Sequence, residues 1–416
     1  MLISLLAFLL AFLTKFYFIS LPVTESAIAM ITGGTVVLLA AALTSTLTLL
    51  PLERLEQNLV PNLMELFRKD RWLQLGRSWL FLFPLLSYVA AALLYADQFA
   101  FKHWLVPAWI FAFGISLDAL KEVWKSMLRF LNPLYLVNLF SHAAKKAVQN
   151  EKDEALWGSI DNLSEMSLRA IDKSKIALST QTLQAFPPII RTFFASSKSI
   201  SRINIDKETE KATGRDEASY TIFYLLQRLE LINDRALQSR LETVCRQMIM
   251  VLGKIIIASA KYDLSMVPFP THFLTKFGLK ALQHHFSEVT VLTTSTLQEI
   301  ARTILTEIDI TYSELQEPFQ AIINGLDAIA KATFKKDKST SIKVLVQPFV
   351  DLKALFQTEK MSKHPDTPVI LSEIERVIEE FTVLEQVMRS IPPIPELGET
   401  GFSSQSSSPD TITPAS

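Results

Sequence analysis

Glycine is scarce in this chain: there are 11 in 416 residues, and five of them lie between residues 121 and 390. Hairpins and closed barrels need positive-φ residues at their tight turns, so a β-rich fold is excluded and an all-α fold is expected. Cysteine is scarcer still, because Cys245 stands alone and no disulfide can form within one chain. An excess of either charge is missing too. With 41 Lys and Arg against 42 Asp and Glu, the net charge is −1, which gives no overall attraction to nucleic acid, and no nucleic-acid partner is expected. The short motifs that carry chemistry are also missing: the sequence has no Gly-rich phosphate loop, nucleophile elbow or paired zinc-binding motif. The nearest approach to a ligand cluster is His272, His284, His285 and Glu288. Adjacent histidines point to different sides of a helix, so surface or partly buried histidines are the expectation there. No catalytic residue, cofactor or metal is assigned, and the chain is not expected to be an enzyme.

What is present is apolar sequence, unevenly placed. Mean hydropathy is +0.26 and charged residues make up 20% of the chain, a balance that implies two unlike parts. Residues 26–52 run for 27 positions without a charge between Glu25 and Glu53. As a helix this run reaches about 40 Å, more than a hydrocarbon core of about 30 Å. Four spans are expected, at about residues 2–20, 26–50, 78–96 and 104–120, with Lys15 snorkelling from the first and Pro84 kinking the third. The connections 21–25 and 97–103 hold one Lys between them. The 53–77 connection carries Arg54, Arg68, Lys69, Arg71 and Arg77, and the segment after Leu120 is basic as well. The positive-inside rule then places both termini in the cytoplasm, in a multi-pass protein of the cell inner membrane.

Lys121, Lys125 and Arg129 recur every four residues and share a helix face. Residues 121–149 therefore read as an amphipathic juxtamembrane helix bent at Pro133. Together with Arg68, Lys69 and Arg71, these cations suit a bilayer with anionic headgroups. Asp118, three residues before Lys121, is expected to form a local ion pair with it. In the second span, Thr32, Gly33, Gly34 and Thr35 place small and hydroxyl side chains on a membrane helix, for close helix packing or, alternatively, for lining a pore.

Residues 150–390 carry apolar positions at spacings of three and four, the pattern of an α-helical domain. Breaks are expected at Pro187-Pro188, at 206–216, at Pro268 to Pro270 and at Pro365 to Pro368. Residues 248–260 are intensely apolar but short and contain Lys254, which marks a buried core helix and not a further span. Similar small-residue segments at Ser167, Gly278 and Gly325 suggest irregular helical repeats built from closely crossing pairs. Residues 391–416, rich in Pro, Ser, Gly and Thr, are expected to be a disordered tail, with Pro392 to Pro395 a short polyproline stretch.

The stretch PNLMELFRKDRWLQLG at residues 61–76 places Pro61, Phe67, Asp70, Arg71 and Gln74 at the spacing of a signature in a family of predicted four-span bacterial membrane proteins of unknown function. The chain resembles that family over about residues 26–186, with Leu168, Arg169, Ala170 and Ile171 matching a second short motif. The motifs that follow it in the family are absent here. The resemblance implies four spans followed by a cytosolic helical region and brings no activity. The expected role is therefore that of a scaffold or regulatory module acting through a protein partner or as a homo-oligomer; the alternative is an oligomeric channel or transporter lined by the second span.

Overall fold

The computed structural model describes residues 2–16, 22–95, 102–150, 152–200, 207–310 and 313–390. Among the described residues the fold is all-α, with no strand. The first part of the chain forms α1 (Leu2–Phe16), α2 (Val23–Asn58), the short α3 (Leu63–Lys69), α4 (Arg71–Tyr95) and α5 (Lys102–Phe130). Helices α1, α5, α4 and α2 pack side by side in that order, and α2 also touches α5. Leu5, Phe8 and Leu9 of α1, Ile28, Leu39 and Leu47 of α2, and Leu85 and Val89 of α4 are exposed on the outside of this bundle. Its interior holds small side chains such as Ala27, Gly34, Ala41 and Ser87. Apolar residues facing outwards and small ones inwards is the arrangement that lipid, and not water, would solvate.

Four helices are long and apolar enough to cross a membrane: α2, α4, α5 and α11 (Glu242–Tyr262). This set differs by one member from the four expected spans. Helix α1 is apolar but, over the described residues, only 15 residues long, or about 22 Å at 1.5 Å per residue. Helix α11 contains residues 248–260. In its most apolar stretch 72% of residues are buried inside the protein, against 33%, 33% and 11% in α2, α4 and α5. Its apolarity is thus spent on α8, α9, α10, α12 and α13, which surround it, while Lys254 emerges on its one open side.

The helical elements begin and end elsewhere than the charge pattern suggests. Helix α2 continues past Glu53 to Asn58, and α4 starts at Arg71, seven residues before its uncharged run. Most of the expected polar connection is therefore helical. Pro84 lies within a continuous α4. Residues 121–130 belong to α5, and the chain breaks at Leu131 and Asn132 before α6 (Pro133–Gln149), whose first turn is capped by the Asn132 side chain accepting from Leu134 N–H at 3.0 Å. Proline without an N–H is tolerated at that first position, which sets the break. The connection 97–101 and the tail 391–416 lie outside the described residues.

Beyond α6 come α7 (Asp153–Asp172), α8 (Ile176–Gln184), α9 (Phe186–Ile200), α10 (Lys207–Gln238), α11, α12 (Pro268–Gln283), α13 (Ser287–Glu307), α14 (Gln316–Lys336), α15 (Ile342–Phe356), the single turn α16 (Glu359–Ser362) and α17 (Thr367–Ser390). The proline pairs fall at breaks between helices, as expected, and lie at or near the starts of α9, α12 and α17. The 206–216 stretch is a correction: α10 begins at Lys207 and runs through it. The stretch has no proline, and its Lys, Glu and Ala are good helix formers. Neighbour relations define two layers, with α7, α10, α12, α14 and α17 in one and α8, α9, α11, α13 and α15 in the other. The three small-residue segments are sites of close crossing. Ser167 Oγ lies 2.9 Å from Ser179 Oγ; a Cβ on Gly278 would meet Thr293 at 2.7 Å, and one on Gly325 would meet Thr275 Oγ1 at 2.4 Å. One continuous hydrophobic core runs from Val37 in α2 to Phe381 in α17.

Candidate functional site

The two parts of the chain meet at the end of α2, and the residues of the 61–76 signature build that joint. Asn62 takes a left-handed conformation with φ 55°, turning the chain into α3, where Phe67 is buried and meets Phe130 edge-on at 5.8 Å. Arg77 lies over the same ring, 5.6 Å from its centroid. Asp70 caps α4, its Oδ1 accepting from Trp72 N–H at 3.1 Å and Leu73 N–H at 3.3 Å. The Gln74 side-chain amide reaches back to donate to Arg68 O at the end of α3, at 3.2 Å. Phe67, Asp70 and Gln74 thus fix the angle between two helices.

Arg169 of α7 closes the joint. Its Nη1 donates to Glu56 O at 2.7 Å and to Gln57 O at 3.4 Å, and its Nε donates to Glu165 at 2.8 Å. The last carbonyls of a helix have no partner within it and carry the negative end of its dipole, so a guanidinium is well placed there. Leu55 O and Arg54 O are met by Val60 N–H and the Asn58 amide. The side chains of Asn62 and Asn162 approach to 3.5 Å beside them.

The expected headgroup cations fall at this end of the bundle. A Cβ on Gly76 would meet Val123 at 2.8 Å, so the start of α4 is level with the end of α5, and Arg68, Lys69 and Arg71 share that level with Lys121, Lys125 and Arg129. All six are exposed, and Lys69 pairs with Glu65 at 2.7 Å. Trp72 and Leu75, 85% and 62% exposed, stand among them, as do Trp124 and Leu128. Sequence reasoning did not single out Trp72 or Leu75. Their one signal was an aromatic and an aliphatic residue next to cations, the composition of a membrane-interface belt.

Asp118 differs from expectation. Its Oδ2 accepts the backbone N–H of Ser4 at 2.9 Å, so its partner is the first turn of α1 and not Lys121. An α-helix leaves those first N–H groups unpaired, and an anion satisfies them. Ala7 meets Gly114 and Phe8 meets Phe111, the rings edge-on at 5.7 Å. Helix α1 therefore runs antiparallel to α5, with its N-terminus at the joint's end of the bundle.

Gly33 and Gly34 are packing positions. A Cβ on Gly34 would lie 2.8 Å from Ser87 Cβ, and one on Gly33 would lie 2.7 Å from the Trp109 ring. Thr35 Oγ1 donates to Ile31 O at 2.8 Å and lies 3.0 Å from Tyr88 Oη, while Thr32 is exposed on the outer face. Thr44, Thr46 and Thr48 each donate to their own helix backbone.

In the helical domain the charged side chains pair across helices. Lys280 meets Asp234 at 2.7 Å and Glu230 at 3.0 Å, and Lys276 meets Glu230 at 2.6 Å. Glu380 joins Lys331 at 2.9 Å and also pairs with Arg376. Glu288 goes to Arg246 at 2.8 Å, and His272 is twelve positions, about 18 Å of helix, from His284. Among the described residues no three of His, Cys, Asp and Glu are gathered to hold a metal. Comparison with known proteins finds no matching family model, no matching curated protein and no matching solved structure.

Proposed function

We propose that this chain is a multi-pass inner-membrane protein whose helical domain, residues 150–390, is a cytoplasmic platform for a protein partner. The four spans are α1, α2, α4 and α5, and the family of four-span bacterial membrane proteins remains the expected kinship. The observation that carries the reading is the Arg169 contact at the end of α2. The joint couples the two-layered domain to the apolar bundle through a charged helix cap and a shared core, so the domain is held at a set attitude instead of hanging on a linker. A fixed attitude beside a headgroup-level belt of Trp72, Arg71, Lys125 and Arg129 suits a scaffold that presents a surface at constant height above a bilayer. The channel alternative gains little, since Gly33 and Gly34 are filled by Trp109 and Ser87 and the threonine hydroxyls are satisfied within their own helix.

The test pairs topology with flux. Reporters active only in the cytoplasm, or only outside it, are fused after Val23, Gly76, Phe99 and Gln149, and the expected order is outside, inside, outside, inside. The purified protein in proteoliposomes is expected to pass no more solute than empty vesicles. A reporter after Gln149 that is active outside overturns the cytoplasmic platform. Solute flux abolished by a bulky residue at Gly33 or Thr35 overturns the scaffold reading in favour of the channel.

A further inference from the structure

In the second half of the helical domain a cavity of about 640 Å³ lies between α13, α14 and α15. Helix α13 lines it from Ser287 to Gln298, α15 from Lys343 to Asp351, and α14 through Leu326, Ile329 and Ala330. Val291 and Val344, 69% and 66% exposed, are among the lining residues, so the cavity opens to the surface and leaves aliphatic side chains in water. Its two ends differ in charge. Lys336 Nζ donates to Leu282 O, which sets the turn after α14 beside the turn before α13, so Ser287 and Lys343 stand at one end. At the other end Gln298 and Gln347 both donate to Asp351, at 3.2 and 2.8 Å.

We propose that this cavity binds a long-chain fatty carboxylate, its acyl chain lying along α13 and its carboxylate at Lys343. Width argues for a single extended chain. From Ser287 to Gln298 the helix spans about 16 Å, and 640 Å³ over that length is a mean section of about 40 Å², roughly 7 Å across. An α-helix with its side chains measures about 10–12 Å, so a partner helix does not fit inside.

Hydrogen bonding separates an acyl chain from an extended peptide. A peptide brings an N–H and a C=O at nearly every residue, and each costs free energy if it is buried unpaired. The cavity's hydroxyls are already committed: Thr290 donates to Phe286 O at 3.2 Å, Thr294 to Thr290 O at 3.4 Å, Ser295 to Leu292 O at 3.0 Å and Thr340 to Asp337 at 3.3 Å. Methylene groups ask for no partner, and Val291, Leu326, Ile329 and Val344 offer them apolar contact. Charge then orients the ligand. Among the described residues that line the cavity, exposed Lys343 is the one cation and Asp351 the one anion. Helices α13 and α15 both begin at the Lys343 end, so the positive ends of two helix dipoles add to that charge. Glu288, in the first turn of α13, is paired with Arg246 at 2.8 Å, and Asp351 keeps a second negative charge from the far end.

Photolabelling of the full-length protein in nanodiscs tests this, with palmitate carrying a diazirine at its ω end and the labelled sites mapped by peptide mass spectrometry. Labels are expected within residues 294–298 and 347–351, at the end remote from Lys343. Probe dissolved in the disc is expected to label the outward faces of α2 and α4, which gives an internal reference. The double variant V291W with V344W fills the cavity from two exposed positions, so folding is retained and is checked by circular dichroism; cavity labelling is expected to fall severalfold against the reference. K343M is expected to weaken competition by unlabelled palmitate by up to about fivefold, the range of an exposed ion pair, and to leave competition by hexadecanol unchanged. Labelling no heavier at these segments than at exposed Met250 of α11, or unmoved by the two tryptophans, overturns the proposal. Equal competition by palmitate and hexadecanol in the wild type overturns the carboxylate and the proposal with it. Cross-linking of α13 or α15 to another copy, with palmitate labelling at background, overturns it in favour of a second copy as occupant.

Discussion

Arg169→Met removes the cation from the end of α2 while keeping a side chain of similar length. At the end of α2 two things are lost: the hydrogen bonds to Glu56 O and Gln57 O, at 2.7 and 3.4 Å, and a positive charge at the negative end of a 36-residue helix; the exposed pair with Glu165 within α7 goes with them. A hydrogen bond to a charged group contributes about 1.5–3 kcal/mol and the dipole about 0.3–1 kcal/mol. The Arg169 side chain is 30% exposed, so water recovers part of both, and about 1–2 kcal/mol remains once solvent screening is counted. That is roughly a five- to thirtyfold rise in the open population of the joint. Hydrogen exchange in nanodiscs reads it directly: amides of residues 57–62 and the last turns of α7 are expected to exchange faster by that factor, with α11 unchanged. Arg169→Lys keeps the charge and is expected to fall between the two. If exchange at 57–62 is the same in wild type and Arg169→Met, the helical domain is held by its core contacts alone and the cap argument is wrong.

Glycine gives an internal contrast. A Cβ on Gly114 would lie 2.2 Å from Ala7 Cβ, so Gly114→Ala is expected to push α1 off α5 at a cost of about 1–3 kcal/mol, measured as a lower thermal midpoint in detergent. Gly158 in α7 has no atom within 4 Å of a built Cβ, and Gly158→Ala is expected to stabilise by about 0.5–1 kcal/mol in the same assay. In the Glu230 cluster, burial works to raise the carboxyl pKa, but hydrogen bonds from Lys276 and Lys280 outweigh it and hold it below the ordinary value. The stability it supplies is present above the unfolded glutamate pKa of about 4.3 and is lost as pH falls through the depressed folded value. The difference in thermal midpoint between wild type and Glu230→Gln is thus expected to shrink as pH drops below that point. Burial, with a smaller push from Glu242, raises the Cys245 thiol to about 12. It is expected to resist alkylation at pH 8 in the folded protein and to react at once in denaturant.

The long apolar helices α2, α4 and α5 were legible because an uncharged run such as the 27 residues of 26–52 has few other uses. Their ends were not. Glu53 and Arg54 look like a stop, yet nothing in the sequence between Glu53 and Asn58 prevents a helix, and α2 continues to Asn58 before Asn62 turns the chain into α3. Length and hydropathy alone would choose α11 as a span and pass over α1. What separates them is company: α11 is enclosed by five helices, whereas α1 packs along one. Lys254 was the local trace of that difference.

The contacts that matter most at the joint join residues more than a hundred positions apart. Arg169 meets Glu56, and Asp118 meets Ser4. In one dimension Asp118 had a cation three residues away and a local pair was the economical reading. The unpaired N–H groups of a helix start are invisible until the fold brings that start alongside. The 61–76 signature is the converse case. In one dimension its residues offered only a spacing. In three dimensions Asp70 caps α4 from just before it, Gln74 caps α3 from one turn after it, and Phe67 fits beneath Phe130 and Arg77. Each position is set by the distance to a helix end, so a shift of one residue would undo all three at once. A fixed spacing without chemistry is what a rigid elbow between two helices demands, and the elbow sits where the apolar bundle meets the helical domain.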